Sequence, residues 1–171
     1  MFEIGEGVVH PVRGAGHITD IEYQTIGGEP RKYYVIDMVA GDMKLLVPVE
    51  NAEEIGLRRK VDPAKAERLL AAVSAPAQLL PKEPKERHVM LGSILSGEDM
   101  VRKAEGLRDL GWRRHRQRLP AGDESAFRRL RHLLAGEIAL ALGVGFDEAL
   151  ALLGNSMRKS FSESTEPGEG G

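Results

Sequence analysis

The residue pattern changes character near position 60, and no single architecture accommodates both parts. Before that point, the runs Val8–Val9, His17–Tyr23, Lys32–Val39 and Met43–Val47 are rich in β-branched and aromatic residues. Gly14-Ala15-Gly16, Gly27-Gly28 and Gly41-Asp42 separate them, the punctuation of antiparallel hairpins. Within the third run Tyr34, Ile36 and Met38 share one pleat face and Tyr33, Val35, Asp37 and Val39 the other. The first set is the one expected to be buried. Beyond position 60 apolar residues recur at helical spacing instead. The fold class is therefore α+β, with a small antiparallel β-barrel over residues 1–60 followed by an all-α helical domain over residues 61–157. The Ser-, Glu- and Gly-rich residues 158–171 are expected to form a disordered tail.

Helix limits follow from capping signals. Asp62-Pro63 is a helix start, with Ala66, Leu69, Leu70 and Val73 on its apolar face. Pro76, Pro81 and Pro84 form a break, and a second helix is expected from Lys85 to Leu95. Ser96 is then placed to cap a third helix that carries Met100, Ala104, Leu107 and Leu110, with Gly111 a weak point. Phe127, Leu130, Leu134, Ile138 and Leu142 form one face of a long fourth helix. Phe146, Leu150, Leu153 and Met157 mark a fifth.

Several kinds of chemistry find no support. With no cysteine in the chain there is no disulfide framework, thiolate nucleophile or Cys-ligated zinc. His10, His17, His88, His115 and His132 never fall at the spacing that puts two imidazoles on one helix face, so no metal site is expected. Gly14-Ala15-Gly16 lacks the Lys-Ser/Thr of a phosphate loop, and the carboxylates sit where helix capping explains them. The expectation is a protein that is not an enzyme and carries no cofactor. No apolar run approaches the roughly 18–20 residues of a membrane span, and Met1-Phe2-Glu3 opens without the basic and apolar regions of a signal peptide. A cytoplasmic location is expected.

Charge is unevenly placed. The chain has 24 Lys and Arg against 26 Asp and Glu. Residues 101–134 nevertheless hold ten basic side chains, nine of them arginine, against four acidic ones. Residues 1–60 hold seven basic against ten acidic. Arginine suits fork-like phosphate contacts, so the helical part fits an anionic partner such as DNA; a solvated polar face is the other reading. Trp112, next to Arg113, Arg114 and Arg116, fits either a core anchor or a stacking residue. The first module suits strand pairing with another protein, and Met43-Lys44-Leu45-Leu46-Val47 is apolar enough to offer the edge.

The stretches MFEIGEGVVHPVRGAGHITDIE, KYYVIDMVAGDMKLLVPVENAEEIGLR (Lys32–Arg58), VRKAEGLRDLGWRR and HLLAGEIALALG resemble the CarD-like family of bacterial transcription regulators, in order across residues 1–157. The resemblance implies a Tudor/SH3-like barrel, also found in transcription-repair coupling factors, that binds the RNA polymerase β subunit. It also implies a helical module that contacts promoter DNA at the upstream edge of the bubble and stabilises the open complex. By position, the polymerase contacts it implies are Tyr23, Gln24, Met43, Lys44, Leu45 and Leu46. Family members commonly carry arginine where this chain has Gln24 and Leu46.

A second departure concerns the tryptophan that family members carry at the start of a helix and wedge into the minor groove. Here Glu83 or Pro84 occupies that place, and Trp112 matches a different position. Lys82, Lys85, Arg87 and His88, with Arg113, Arg114 and Arg116, remain as the expected DNA contacts, directed at the backbone and sensitive to salt. A polymerase-binding adaptor whose helices recruit another protein is the alternative. The protein is expected to be a monomer, with edge-strand dimers open to it when polymerase is absent.

Overall fold

The computed structural model describes residues 1–165. Its first module is a five-stranded antiparallel sheet of β1 (Gly7–His10), β2 (Gly14–Thr25), β3 (Pro30–Met38), β4 (Lys44–Pro48) and β5 (Arg58–Arg59), in the order β4-β3-β2-β1-β5. β4 and β5 are its two edges, so the expected barrel is an open sheet. Its core is completed by the segment after β4, a 3-10 turn (Val49–Asn51) and the short α1 (Ala52–Ile55). Ala52 and Leu57 thereby join Phe2, Val8, Ile18, Tyr34, Ile36, Met38 and Val47 in one buried cluster. Tyr34 anchors it: its hydroxyl accepts from the Phe2 amide at 3.0 Å and its ring meets Phe2 edge-on.

The expected inner set of β3 is buried, but Tyr33 and Val35 are buried as well. β3 is central, and cross-strand neighbours Asp20 and Glu22 on one side and Leu46 and Pro48 on the other flank those side chains. Alternation identifies the two faces of a strand. How many of them are covered depends on its neighbours.

Five further helices follow: α2 (Pro63–Ser74), α3 (Pro84–Ser96), α4 (Met100–Arg116), α5 (Ala121–Leu142) and α6 (Phe146–Glu163). Asp62 caps α2 as expected, its Oδ1 accepting from Lys65 N at 2.7 Å. The cap of α4 is Asp99 rather than Ser96, with Oδ1 accepting from Arg102 N at 3.1 Å. Gly111 lies inside α4, where Met157 and Phe161 of α6 pack against the space a side chain would fill. Leu69, Leu107, Leu110, Leu130, Leu134, Ile138 and Leu153 centre the helical core and are fully buried. None of the described helices is long and apolar enough to cross a membrane.

The expected tail begins too early at 158, because α6 runs to Glu163. Phe161 stacks on His115, with ring centroids 4.8 Å apart, and leans on the buried Trp112. Buried Ser160 donates its hydroxyl to the Ala75 carbonyl at 2.6 Å, and Ser164 Oγ accepts from Ala77 N at 2.8 Å. The end of α6 thus fixes the proline-containing linker between α2 and α3. The rest of the expected tail, residues 166–171, lies outside the described residues.

α5 joins the two modules. Gly136 faces Ala15 of β2 so closely that a Cβ added to it would lie 3.0 Å from the Ala15 Cβ. One turn on, Leu140 packs with Val9 and Ala15. Between them Glu137, with no exposed surface, accepts a fork from Arg58 of β5, Nη1 to Oε1 at 2.8 Å and Nη2 to Oε2 at 2.6 Å.

Candidate functional site

Two surfaces carry the residues singled out in the sequence. The first is the β4 edge, which has a strand neighbour on one side only. Its pairing with β3 sets Lys44 opposite Asp37, Leu45 opposite Ile36 and Leu46 opposite Val35. Lys44 and Leu46 therefore project from the outer face, while Leu45 turns toward the core and is half-buried. Lys44 Nζ lies 3.6 Å from Asp37 Oδ1; the lysine is largely in solvent, whereas Asp37 is half-buried and its Oδ1 has no hydrogen-bond donor among the described residues. Exposed Met43 sits in the turn just before the strand, its carbonyl accepting from the Met38 amide at 2.9 Å.

The expected β2 contacts divide between faces. Gln24 pairs with Arg31 in register and shares the outer face with Leu46; its side-chain amide donates to Glu22 Oε2 at 3.0 Å. Tyr23, 73 % exposed, pairs with Lys32 on the opposite face, with the Lys32 amine 5.8 Å from its ring centre. Lys44, Leu46 and Gln24 thus form one outward-facing group beside an unpaired edge. Tyr23 stands apart from it.

The second surface is a basic corner where the start of α3, the end of α4 and the start of α5 converge. Its hub is the buried Asp123 in the first turn of α5. Arg87 Nε donates to Asp123 Oδ2 at 2.7 Å, and the same oxygen lies 3.9 Å from Arg113 Nε. Arg87 Nη1 also donates to the carbonyls of Pro81 and Lys82, at 2.9 and 3.1 Å. Arg87, only 2 % exposed, is therefore an internal strut and not a DNA contact. A buried charge must be paired and hydrogen-bonded, and every one of its neighbours here meets that need. Arg113 is half-buried on the same hub.

Lys82, Lys85 and His88 are exposed at the start of α3. At the end of α4 exposed Arg114 donates to both carboxylate oxygens of Glu124, at 3.3 and 3.2 Å, and lies over the Phe127 ring. Arg116 lies over the Trp112 ring, 5.6 Å from its centre. Arg114, His115, Arg116, Arg118 and Glu124 line an open depression of about 610 Å³ between α4 and α5. The three arginines of the last α4 turn, Arg113, Arg114 and Arg116, also lie at the negative end of that helix's dipole, a favourable place for a cation. The residue missed from sequence is Asp123, whose placement in a first helical turn looked sufficient as an explanation; Arg118 falls within the basic stretch 101–134 but is not named among the expected contacts.

A model of the CarD-like/TRCF RID domain matches residues 2–61, the whole sheet with its β4 edge. The N-terminal module belongs to the CarD-like family. That bears out the resemblance read from its residues. The CarD-like module is of a kind that interacts with RNA polymerase in transcription. The likeness also reaches the helices. The chain is 25 % identical over 146 residues to the protein named "Putative transcription factor YdeB" of Bacillus subtilis (strain 168), a match covering 84 % of this chain and 94 % of that protein.

Proposed function

We propose that this protein is a transcription regulator that binds the β subunit of RNA polymerase through the β4 edge of its CarD-like module. Its basic corner then binds promoter DNA at the upstream edge of the bubble and stabilises the open complex. The observation that carries the reading is the open β4 edge, with Lys44, Leu46 and Gln24 facing outward, on a domain whose family is polymerase-interacting. Strand addition to such an edge supplies main-chain hydrogen bonds, and the outward side chains supply selectivity. The arginine-rich corner supports the DNA half of the reading, because guanidinium groups at a surface favour phosphate. On this reading the protein performs no covalent chemistry, needs no cofactor and works as a monomer in the cytoplasm.

The test is capture of RNA polymerase by the full chain. Leu46→Glu places a carboxylate on the outer face without entering the core, and is expected to lower capture at least tenfold with an unchanged melting temperature. Undiminished capture would remove β4 from the contact. A second reading, an adaptor whose helices recruit a protein, draws on the expenditure of Arg87 and Arg113 in internal pairs and on Glu83 and Pro84 at the apex of α3. Binding to a promoter fragment separates the two: phosphate contacts give an affinity that falls steeply with salt, whereas a protein-only adaptor shows no DNA affinity.

A further inference from the structure

The basic corner extends along α5 to Arg128 and Arg131. Phe127, buried in the second turn of α5, carries two guanidinium groups, with Arg114 at 5.1 Å and Arg131 at 5.4 Å from its ring centre. Arg128, 70 % exposed, lies 3.7 Å from Glu124, the carboxylate that also receives Arg114. Three arginines from two helices thus gather around one ring and one acid. Glu124 is shared by two of them, and Arg131 has no ion-pair partner among the described residues. The group carries more positive charge than its surroundings neutralise.

Stacking on an aromatic face holds a guanidinium plane in place while leaving its N–H edges free to donate. That lowers the entropy lost when an arginine grips a phosphate oxygen pair. We infer that Arg128 and Arg131 are DNA-backbone ligands, and that the phosphate track crosses the outer face of α5 over Phe127 instead of stopping at the end of α4. The inference rests on the DNA half of the proposed function. It shifts the weight of that contact away from the start of α3, where the buried strut Arg87 cannot take part.

The test measures binding of the full chain to a duplex DNA fragment over a range of KCl concentrations. Each phosphate contact contributes about 0.9 to the slope of log affinity against log salt. Arg128→Gln/Arg131→Gln is expected to make that slope shallower by about 1.8. A control that removes two charges from the sheet, Arg31→Gln/Lys32→Gln, is expected to leave it unchanged. If the double variant melts early, Arg128→Gln alone, at a solvated position, is expected to lower the slope by about 0.9. A steep wild-type slope left intact by the α5 variants overturns this inference while the DNA reading stands. A wild type that does not bind the fragment overturns both.

Discussion

At the scale of single residues, the polar side chains with the most to do are those with the least exposure. Asp123 is the example: replacing it with alanine leaves the Arg87 guanidinium buried without its counter-charge, at a cost of about 3 kcal/mol or more. Urea denaturation checks this, and an Arg87→Met/Asp123→Leu pair is expected to recover most of the loss. His10 makes a pH-dependent contribution. Its Nδ1 accepts from the Val12 and Arg13 amides, both at 3.1 Å, which holds the turn between β1 and β2 and keeps the ring neutral. Burial, and secondarily the charge of Arg13, hold its pKa below the ordinary 6.5. Protonation is therefore harder in the folded chain than in the unfolded one. His10 costs no stability well above pH 6.5; stability falls as pH drops from 6.5 to the lowered folded value and levels off beneath it. Denaturation at a series of pH values should show that component missing from His10→Asn. Sequence alone could not expose Arg87, because an arginine beside lysines reads as surface and its partner lies 36 residues away.

At the scale of elements, strands and helices were largely legible, since their periods are local properties of the chain. Helix ends were legible where one cap dominated, as at Asp62, and misplaced where Ser96 and Asp99 competed. The end of α6 was concealed by composition. Ser160, Ser162, Glu163 and Ser164 belong to a polar stretch, and only Phe161 hints that a face of it is covered. Ser160→Ala is expected to cost about 1–3 kcal/mol, because the Ala75 carbonyl then loses its buried donor. Thermal melting measures this, and an unchanged transition would mean that the linker carbonyl finds another partner. β4 illustrates the converse. Its apolar run was visible in the sequence, but which residues face outward follows from the register with β3.

At the scale of the whole molecule, the decisive contacts are those between modules, and they were the least legible. Glu137 sits in the middle of an apolar helix face, 79 residues from the arginine that neutralises it. Gly136 beside it reads as a weak point in a helix until β2 is seen against it. Arg58→Met removes the cation and strands a carboxylate with no exposed surface, and a loss of about 3–5 kcal/mol is expected. Differential scanning calorimetry would show it, and two transitions in place of one would mean that the modules have come apart.

That junction also bears on how tightly two partners could be held at once. A flexible tether between binding surfaces lets the second one search, and the effective concentration it experiences falls as the linker lengthens. Here α5 lies directly on β2, with no slack between sheet and helices. For a protein that grips polymerase with one module and DNA with the other, avidity becomes a matter of fit. Where the two sites on the partner stand at the right separation, the second engagement loses little further freedom; where they do not, it is unavailable.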